Sequence, residues 1–178
     1  MMGNATKTEA FPMRLYETEC RTNKPITSDL PVKIKKVSPF SLSLPGESLG
    51  MKGKLGRLAF WVMSKGDFRI FYVTDEKTGS PIHTSYVMGR SFKFPFMEKG
   101  DIHIGPCHTA PEHRGKGIYR KVLHFIRNHE GETGKRAYMI VAENNLPSIK
   151  GIEAAGLRQI GAVERTGLLK IYRRKNHD

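Results

Sequence analysis

The sequence predicts an α/β domain in which helices flank a mixed central sheet with one bulged, splayed strand. Three observations lead there. The hydrophobic period switches repeatedly between that of a helix and that of a strand. The helical segments fall between strands instead of collecting at one end of the chain. A Gly105-Pro106 pair interrupts one strand midway, and there proline cannot donate to a ladder while glycine marks a bulge. At 178 residues the chain suits one domain, since roughly 100–200 residues make a domain, and it can bury a core without metal or disulfide support. Residues 1–178 are therefore read as a single domain, with 1–30 a partly irregular N-terminal segment.

Residues 1–12 are small and polar and are expected to fray. Residues 31–37 alternate as a short strand, and the Ser/Pro/Gly-rich stretch 38–53 reads as a loop. Leu55, Leu58, Ala59, Val62 and Met63 recur at helical spacing. They predict a helix whose apolar stripe packs into the core, with Gly66 placed to end it. Residues 68–74 and 82–88 alternate as strands around the turn-forming stretch 75–79, a hairpin. The next strand, 101–109, carries Gly105-Pro106 and is expected to kink and leave its neighbour halfway. From Lys116 a helix places Ile118, Val122, Leu123 and Ile126 on one face and Arg120, Lys121 and Arg127 in water, and Gly131 closes it. A buried strand over 137–142 follows. Asn145 then caps a short helix that ends at Gly156. Two last strands are expected over 157–163 and 168–172.

Thirty Lys and Arg against seventeen Asp and Glu give a net charge of +13. Such a field attracts polyanions: nucleic acid, an anionic membrane surface, or a phosphorylated cofactor or substrate. The chain shows no RNP, KH or zinc-finger pattern, so nucleic acid is not the expected partner. Its longest apolar run, 58–63, falls far short of the ~20 residues that span a bilayer. No basic stretch followed by an apolar one opens the chain, so no secretion signal is expected. Cys20 and Cys107 stand 87 positions apart without CxxC spacing, which reads as free thiols in a reducing cytoplasm.

Residues 111–119 lie between the kinked strand and a helix start. Consecutive N–H groups at a helix N-terminus, with Gly115 and Gly117 permitting close approach and Arg114 and Lys116 adding charge, form a site for an anion. The spacing is neither GxxxxGK[ST] nor GxGxxG. Cys107 and His108 raise a thiol-nucleophile reading, but adjacent strand residues point to opposite faces. His103, Cys107, His108 and His113, spaced 4, 1 and 5 apart, match no common zinc pattern, and no metal is expected.

In Arg114-Gly-Lys-Gly117-Ile-Tyr119 the chain resembles the GNAT superfamily of acyl-CoA-dependent N-acyltransferases, whose pyrophosphate loop reads Arg/Gln-x-x-Gly-x-Gly/Ala. Asn145, Ser148, Ile152, Gly156 and Leu157 follow a second family spacing, with Ile152 where the family has Tyr. The resemblance covers roughly residues 67–173. It implies that Gly105-Pro106 is the family's strand bulge, opening a gap for the pantetheine arm of acetyl-CoA or another acyl-CoA. It implies that the amides of Arg114, Gly115, Lys116, Gly117, Ile118 and Tyr119 bind the pyrophosphate, that Cys107 and Thr109 lend backbone to the pantetheine, and that Asn145 and Ser148 line the other wall. Two positions depart from the family: Tyr119 adds bulk at the last loop position, and Ile152 cannot protonate a departing thiolate, a role open to Ser148 or a water.

The activity implied is attack by a neutral amine on a thioester, which needs a base and a donor for the oxyanion. His103 is the first candidate for the base: it shares a strand face with Gly105, and some GNAT enzymes place a catalytic His at the matching position. Glu143, at the end of the next strand, is the second. The acceptor is an amine, and a positive surface suits an anionic one, such as an amino sugar on a nucleotide diphosphate. A homodimer is compatible with the sequence. The alternatives are an acyl-CoA-binding sensor without turnover and a basic nucleic-acid-binding protein.

Overall fold

The computed structural model describes residues 12–21, 30–36, 54–167 and 171–175. The fraying expected before residue 12 and the loop expected over 38–53 lie outside the described residues. In chain order the elements are β1 (Met13–Glu19), β2 (Lys33–Lys36), α1 (Lys54–Met63), β3 (Phe68–Thr74), β4 (Pro81–Gly89), β5 (Ile102–Thr109), α2 (Ile118–His129), β6 (Arg136–Ala142), α3 (Leu146–Ala154), β7 (Arg158–Thr166) and β8 (Ile171–Arg174). The strands form one sheet in the order β2-β3-β4-β5-β6-β1-β7-β8. β5 and β6 run parallel, and the remaining neighbours are antiparallel. The mixed α/β sheet with flanking helices is the architecture the sequence predicts.

The N-terminal segment corrects the sequence reading. Within the segment expected to be partly irregular, residues 13–19 form a strand not foreseen there, β1, in mid-sheet and antiparallel to both β6 and β7. Leu15 and Tyr16 are both fully buried and belong to the cores on opposite faces. A strand covered on both faces shows no clean alternation, so its pattern is hard to read. Its charges are matched locally. The buried Glu17 carboxylate accepts from Arg158 Nη2 at 2.9 Å and faces Arg136 Nη1 at 3.6 Å.

α1 is a second correction. It forms as predicted, but Leu58, Trp61 and Val62 are 43%, 40% and 61% exposed, so Leu58 and Val62 of its stripe do not pack into the core. Periodicity shows that a helix has one apolar face, not that anything covers it. Both cores are filled from elsewhere. On one face of the sheet Ile118, Val122, Leu123, Ile126, Ile149 and Ile152 of α2 and α3 pack on Tyr16, Phe71, Val87, Ile104 and Met139. On the other face Phe94 and Met97 cover Leu15, Ile70, Tyr86, Met88 and Tyr138. Each such side chain contributes about 1.5–3 kcal/mol when fully buried. The segment that carries Phe94 is tied down by Tyr172 N–H, which donates to Lys93 O at 2.9 Å.

The predicted bulge is present. Cys107 pairs with Ser85 and Ile104 with Val87, so Gly105 and Pro106 together stand opposite Tyr86 alone. β5 accordingly pairs with β6 only through Ile102↔Ala137 and His103↔Tyr138, and beyond them the two strands part. The extra residue also resets the alternation. Ile102 and Ile104 face the helices before the bulge, and Cys107 does so after it. His108, paired with Thr84, therefore comes onto the same face as His103.

The position of β1 is open to test. Leu15→Ala should destabilise the protein by about 2–5 kcal/mol in urea denaturation, as for other buried Leu truncations. Val62→Ala on the exposed side of α1 should stay within about 0.5 kcal/mol. Equal effects from the two would contradict this packing.

Candidate active site

The parting of β5 and β6 leaves a cleft whose rim is the segment from Ala110 to Gly117. A short 3₁₀ turn, Pro111–His113, leads into Gly115 and Gly117, which take φ of 75° and 73°. L side chains avoid that conformation. A Cβ on either glycine would meet nothing within 4 Å, so open space adjoins this backbone. Gly117 caps α2, which begins at Ile118. The first bond closing the helix runs from Lys121 N–H to Gly117 O at 3.1 Å. The N–H groups of Ile118, Tyr119 and Arg120 thus lack an acceptor one turn back, and the positive end of the helix dipole points the same way. Lys116 is exposed beside them. Arg114 folds back, its Nε–H donating to Thr109 O at 3.1 Å, and so fastens the loop to the end of β5.

On the helical face of the sheet the cleft is floored by a chain of polar side chains. His83 Nδ1 lies 2.8 Å from Thr109 Oγ1, and its Nε2 lies 2.8 Å from Ser85 Oγ. Ser85 donates to Cys107 Sγ at 3.1 Å, and the Tyr119 hydroxyl faces the same sulfur. Burial, with some repulsion from His108, pushes the His83 pKa down to about 4. Burial pushes the Cys107 thiol up to about 12 against the bond donated by Ser85, and raises Tyr119 well above the ordinary phenol value. All three groups are therefore neutral at pH 7. A thiol held protonated is a poor nucleophile, and His108 lies on the other face of the strand from Cys107.

His103 lies on that other face. Its ring stacks on Phe94 with centroids 4.1 Å apart, and Phe94 stacks in turn on Tyr172 at 5.4 Å. Neither ring nitrogen has a hydrogen-bond partner among the described residues, and burial pushes the pKa down to about 3. His108 is exposed on the same face. Across the cleft, Asn145 Oδ1 accepts from Ser148 N–H at 3.3 Å and so caps α3, as its sequence position suggests. Ile152 is buried among the hydrocarbon side chains under α3. Glu143 sits at the end of β6 in a part-exposed ion pair, its Oε1 2.6 Å from Arg14 Nη2.

The structure thus gathers Thr109, Cys107 and Tyr119 on one side of β5 and turns His103 and His108 to the other. His83 and Ser85 are missed by the sequence reading, because β4 looks like an ordinary alternating strand. The one available signal is the polar run His-Thr-Ser in an otherwise apolar segment. A cavity of about 730 Å³ opens at the opposite end of β5, lined by Ser64, Arg69, Asp101 and Glu130 among others. Part of its lining is already paired: Arg69 with Asp67 and Glu130, while Asp101 accepts from Glu98 N–H and Arg136 N–H. The cleft differs in offering the N–H groups at the start of α2.

Two solved structures share this architecture. An acetyltransferase from the GNAT family of Colwellia psychrerythraea superposes with a TM-score of 0.50 at 15% identity, over 84% of this chain and 53% of that one. The fold is that of the GNAT acetyltransferases. A tandem GNAT protein from the clavulanic acid biosynthesis pathway gives a TM-score of 0.51 at 14% identity, over 85% of this chain and 51% of that one. The chain thus spans about half the length of each of these GNAT proteins. No protein-family model matches the chain, and no curated protein matches it in sequence.

The two buried histidines make a pH prediction. Both have folded-state pKa values below the ordinary ~6.5 of a free imidazole, so the unfolded chain takes up protons that the folded rings refuse. Their contribution to stability is complete above pH ~6.5 and is lost as the pH falls toward about 3 for His103 and about 4 for His83. Between pH 6 and 4 each His should steepen the loss by up to ~1.4 kcal/mol per pH unit. Urea denaturation of His103→Leu should show a slope shallower by about that amount. Parallel curves for the variant and the parent protein would contradict the burial of His103.

Proposed function

We propose that this protein transfers an acetyl or short acyl group from acyl-CoA to an amine. The observation that carries the reading is the parting of β5 from β6 directly beside a glycine loop with free amides at the start of α2. A pyrophosphate in that loop would meet the N–H groups of Gly115 to Tyr119, the dipole of α2 and the Lys116 ammonium. The pantetheine would run into the cleft along the backbone of Cys107 and Thr109, with Asn145 and Ser148 on the far wall. Where β5 leaves β6, ladder donors lose their partners, and such donors can hold the oxyanion that forms on the thioester carbonyl.

In the reaction the amine nitrogen bonds to the carbonyl carbon, the carbon–sulfur bond breaks, and the amine proton passes to a base. Of the two histidines on the open face, His103 is sealed beneath Phe94 with a pKa of about 3, far from the value that suits a base working near neutral pH. His108, brought onto the same face by the bulge and exposed to solvent, fits the role better. His103 then bounds the acceptor side. Glu143, engaged with Arg14, is the further candidate. Ile152 supplies no proton to the leaving sulfur, and Ser148 or a water would do so. A thiol of pKa ~8.5 can also leave as thiolate near pH 7.5 at a cost of about 1.4 kcal/mol. The net charge of +13 favours an acceptor that carries negative charge.

The loop is tested by charge and not by bulk. Asp and Asn both tolerate the left-handed backbone of Gly115, so Gly115→Asp and Gly115→Asn differ mainly in charge. CoA at 100 times its Kd should stabilise the parent protein by about 2.7 kcal/mol. Gly115→Asn should keep a larger share of that stabilisation, and Gly115→Asp should lose it. Thiol release from acetyl-CoA over a panel of amines then tests turnover. His108→Ala should lower kcat/KM by ~10²–10⁴, with a loss that shrinks as the pH nears the pKa of the amine. Binding with no thiol release for any amine would favour a sensor, and the absence of a CoA-induced shift would overturn the reading.

A further inference from the structure

Tyr119 crosses the cleft that this reaction would use. Its backbone belongs to the first turn of α2. Its ring lies against Gly151 of α3, where an added Cβ would fall 2.5 Å from Tyr119 Cδ1. Its hydroxyl faces Cys107 of β5, and its ring centroid is 5.9 Å from that of His83 on β4. One side chain therefore reaches from the helix after β5 to the helix after β6, over the strand end that the bulge has separated. Any chain passing inward between the two βα units meets this ring.

Gly151 shows that the seat is built. A glycine inside a helix is less favourable than alanine, and alanine here would strike the ring. The phenol then meets only neutral groups. Cys107, which it faces, accepts from Ser85, and Ser85 is tied through His83 to Thr109. Neutral bonds of this kind are individually weak in net terms, so the ring is held in place but can be displaced.

We propose that Tyr119 is a gate on the acyl-CoA slot, closed in the arrangement seen here and opened when the ring swings off Gly151 and releases Cys107. The proposal rests on the acyl-CoA reading above. It makes the measured affinity the intrinsic one reduced by the fraction of molecules with the ring out. It also makes Tyr119 a determinant of which acyl-CoA enters, since the ring and the acyl arm compete for one space. If Tyr119 merely braced α2 on α3, removing the ring would loosen the loop and weaken CoA binding. The two roles therefore predict opposite signs.

The test is calorimetric titration with CoA of the full chain and of Tyr119→Phe, Tyr119→Ala and Gly115→Asp, each checked by thermal melting. Tyr119→Ala should bind about tenfold or more tightly than the parent protein, as expected if the ring is out in roughly a tenth of molecules or fewer. Tyr119→Phe, which keeps the ring and loses the hydroxyl, should fall between them. If Tyr119→Ala binds no tighter while the parent binds and Gly115→Asp does not, the gate is wrong and the slot is right. If neither the parent nor Tyr119→Ala binds, the acyl-CoA reading fails and takes the gate with it. Should Tyr119→Ala not fold, Tyr119→Phe carries the test through alkylation of Cys107 by iodoacetamide, with Cys107→Ala marking the site. The rate should rise several-fold over the parent, and an unchanged rate would overturn the gate.

Discussion

Two residues of β5, Gly105 and Pro106, share the space opposite one residue of β4, Tyr86, and the rest of the site depends on that mismatch. An extra residue bends the strand and disrupts its ladder. Here the consequence falls on the far side, where β5 and β6 stay paired at only two positions and then diverge. A parallel pair normally continues until both strands end. This one stops early, so a cleft opens at the carboxyl ends of two adjacent strands, where ligands bind in open α/β sheets. The same extra residue turns Cys107 toward the helices and His108 toward the opposite face. A single local irregularity thus shapes the slot and chooses which side chains line each face.

The surroundings of the cleft carry polar groups in the interior of the fold. His83, Ser85 and Cys107 lie in the middle of the sheet, satisfied by one another and by Thr109. Buried polar groups cost little once their bonds are made and a great deal when one partner is lost. This chain therefore ties the end of β5 to β4 as one unit. His103 is the exception, since both ring nitrogens lack a partner among the described residues beneath Phe94. Its neutrality follows from that burial, and its neighbours Phe94 and Tyr172 make the open face of the sheet aromatic close to the cleft. In the cavity at the other end of β5, Arg69 is held by Asp67 and Glu130.

Most elements were legible because their periods are clean: the β3–β4 hairpin, the apolar face of α2 and the capped α3 all follow from residue spacing. The bulge was legible because glycine followed by proline cannot continue a ladder. β1 was not, because a strand buried on both faces, with Arg14 and Glu17 answered by ionic partners distant in sequence, has neither alternation nor a continuous apolar run. The exposure of α1 was not, because periodicity does not report what lies opposite a helix. The His83–Ser85–Cys107 chain depends on the register between β4 and β5, and the position of His108 depends on how the bulge resets it. Register across a bulge is a property of two strands together, which neither strand's sequence states alone.

The proposed function puts the CoA moiety in the cleft between β5 and β6, and not in the cavity near Arg69 and Glu130. Hydrogen–deuterium exchange of the full chain with and without saturating CoA separates the two. Slower exchange is expected for amides 115–120 and for the β5 segment 105–109, with little change in the peptides that carry Ser64, Arg69 and Glu130. Protection confined to those last peptides, with the glycine loop exchanging as before, would contradict it.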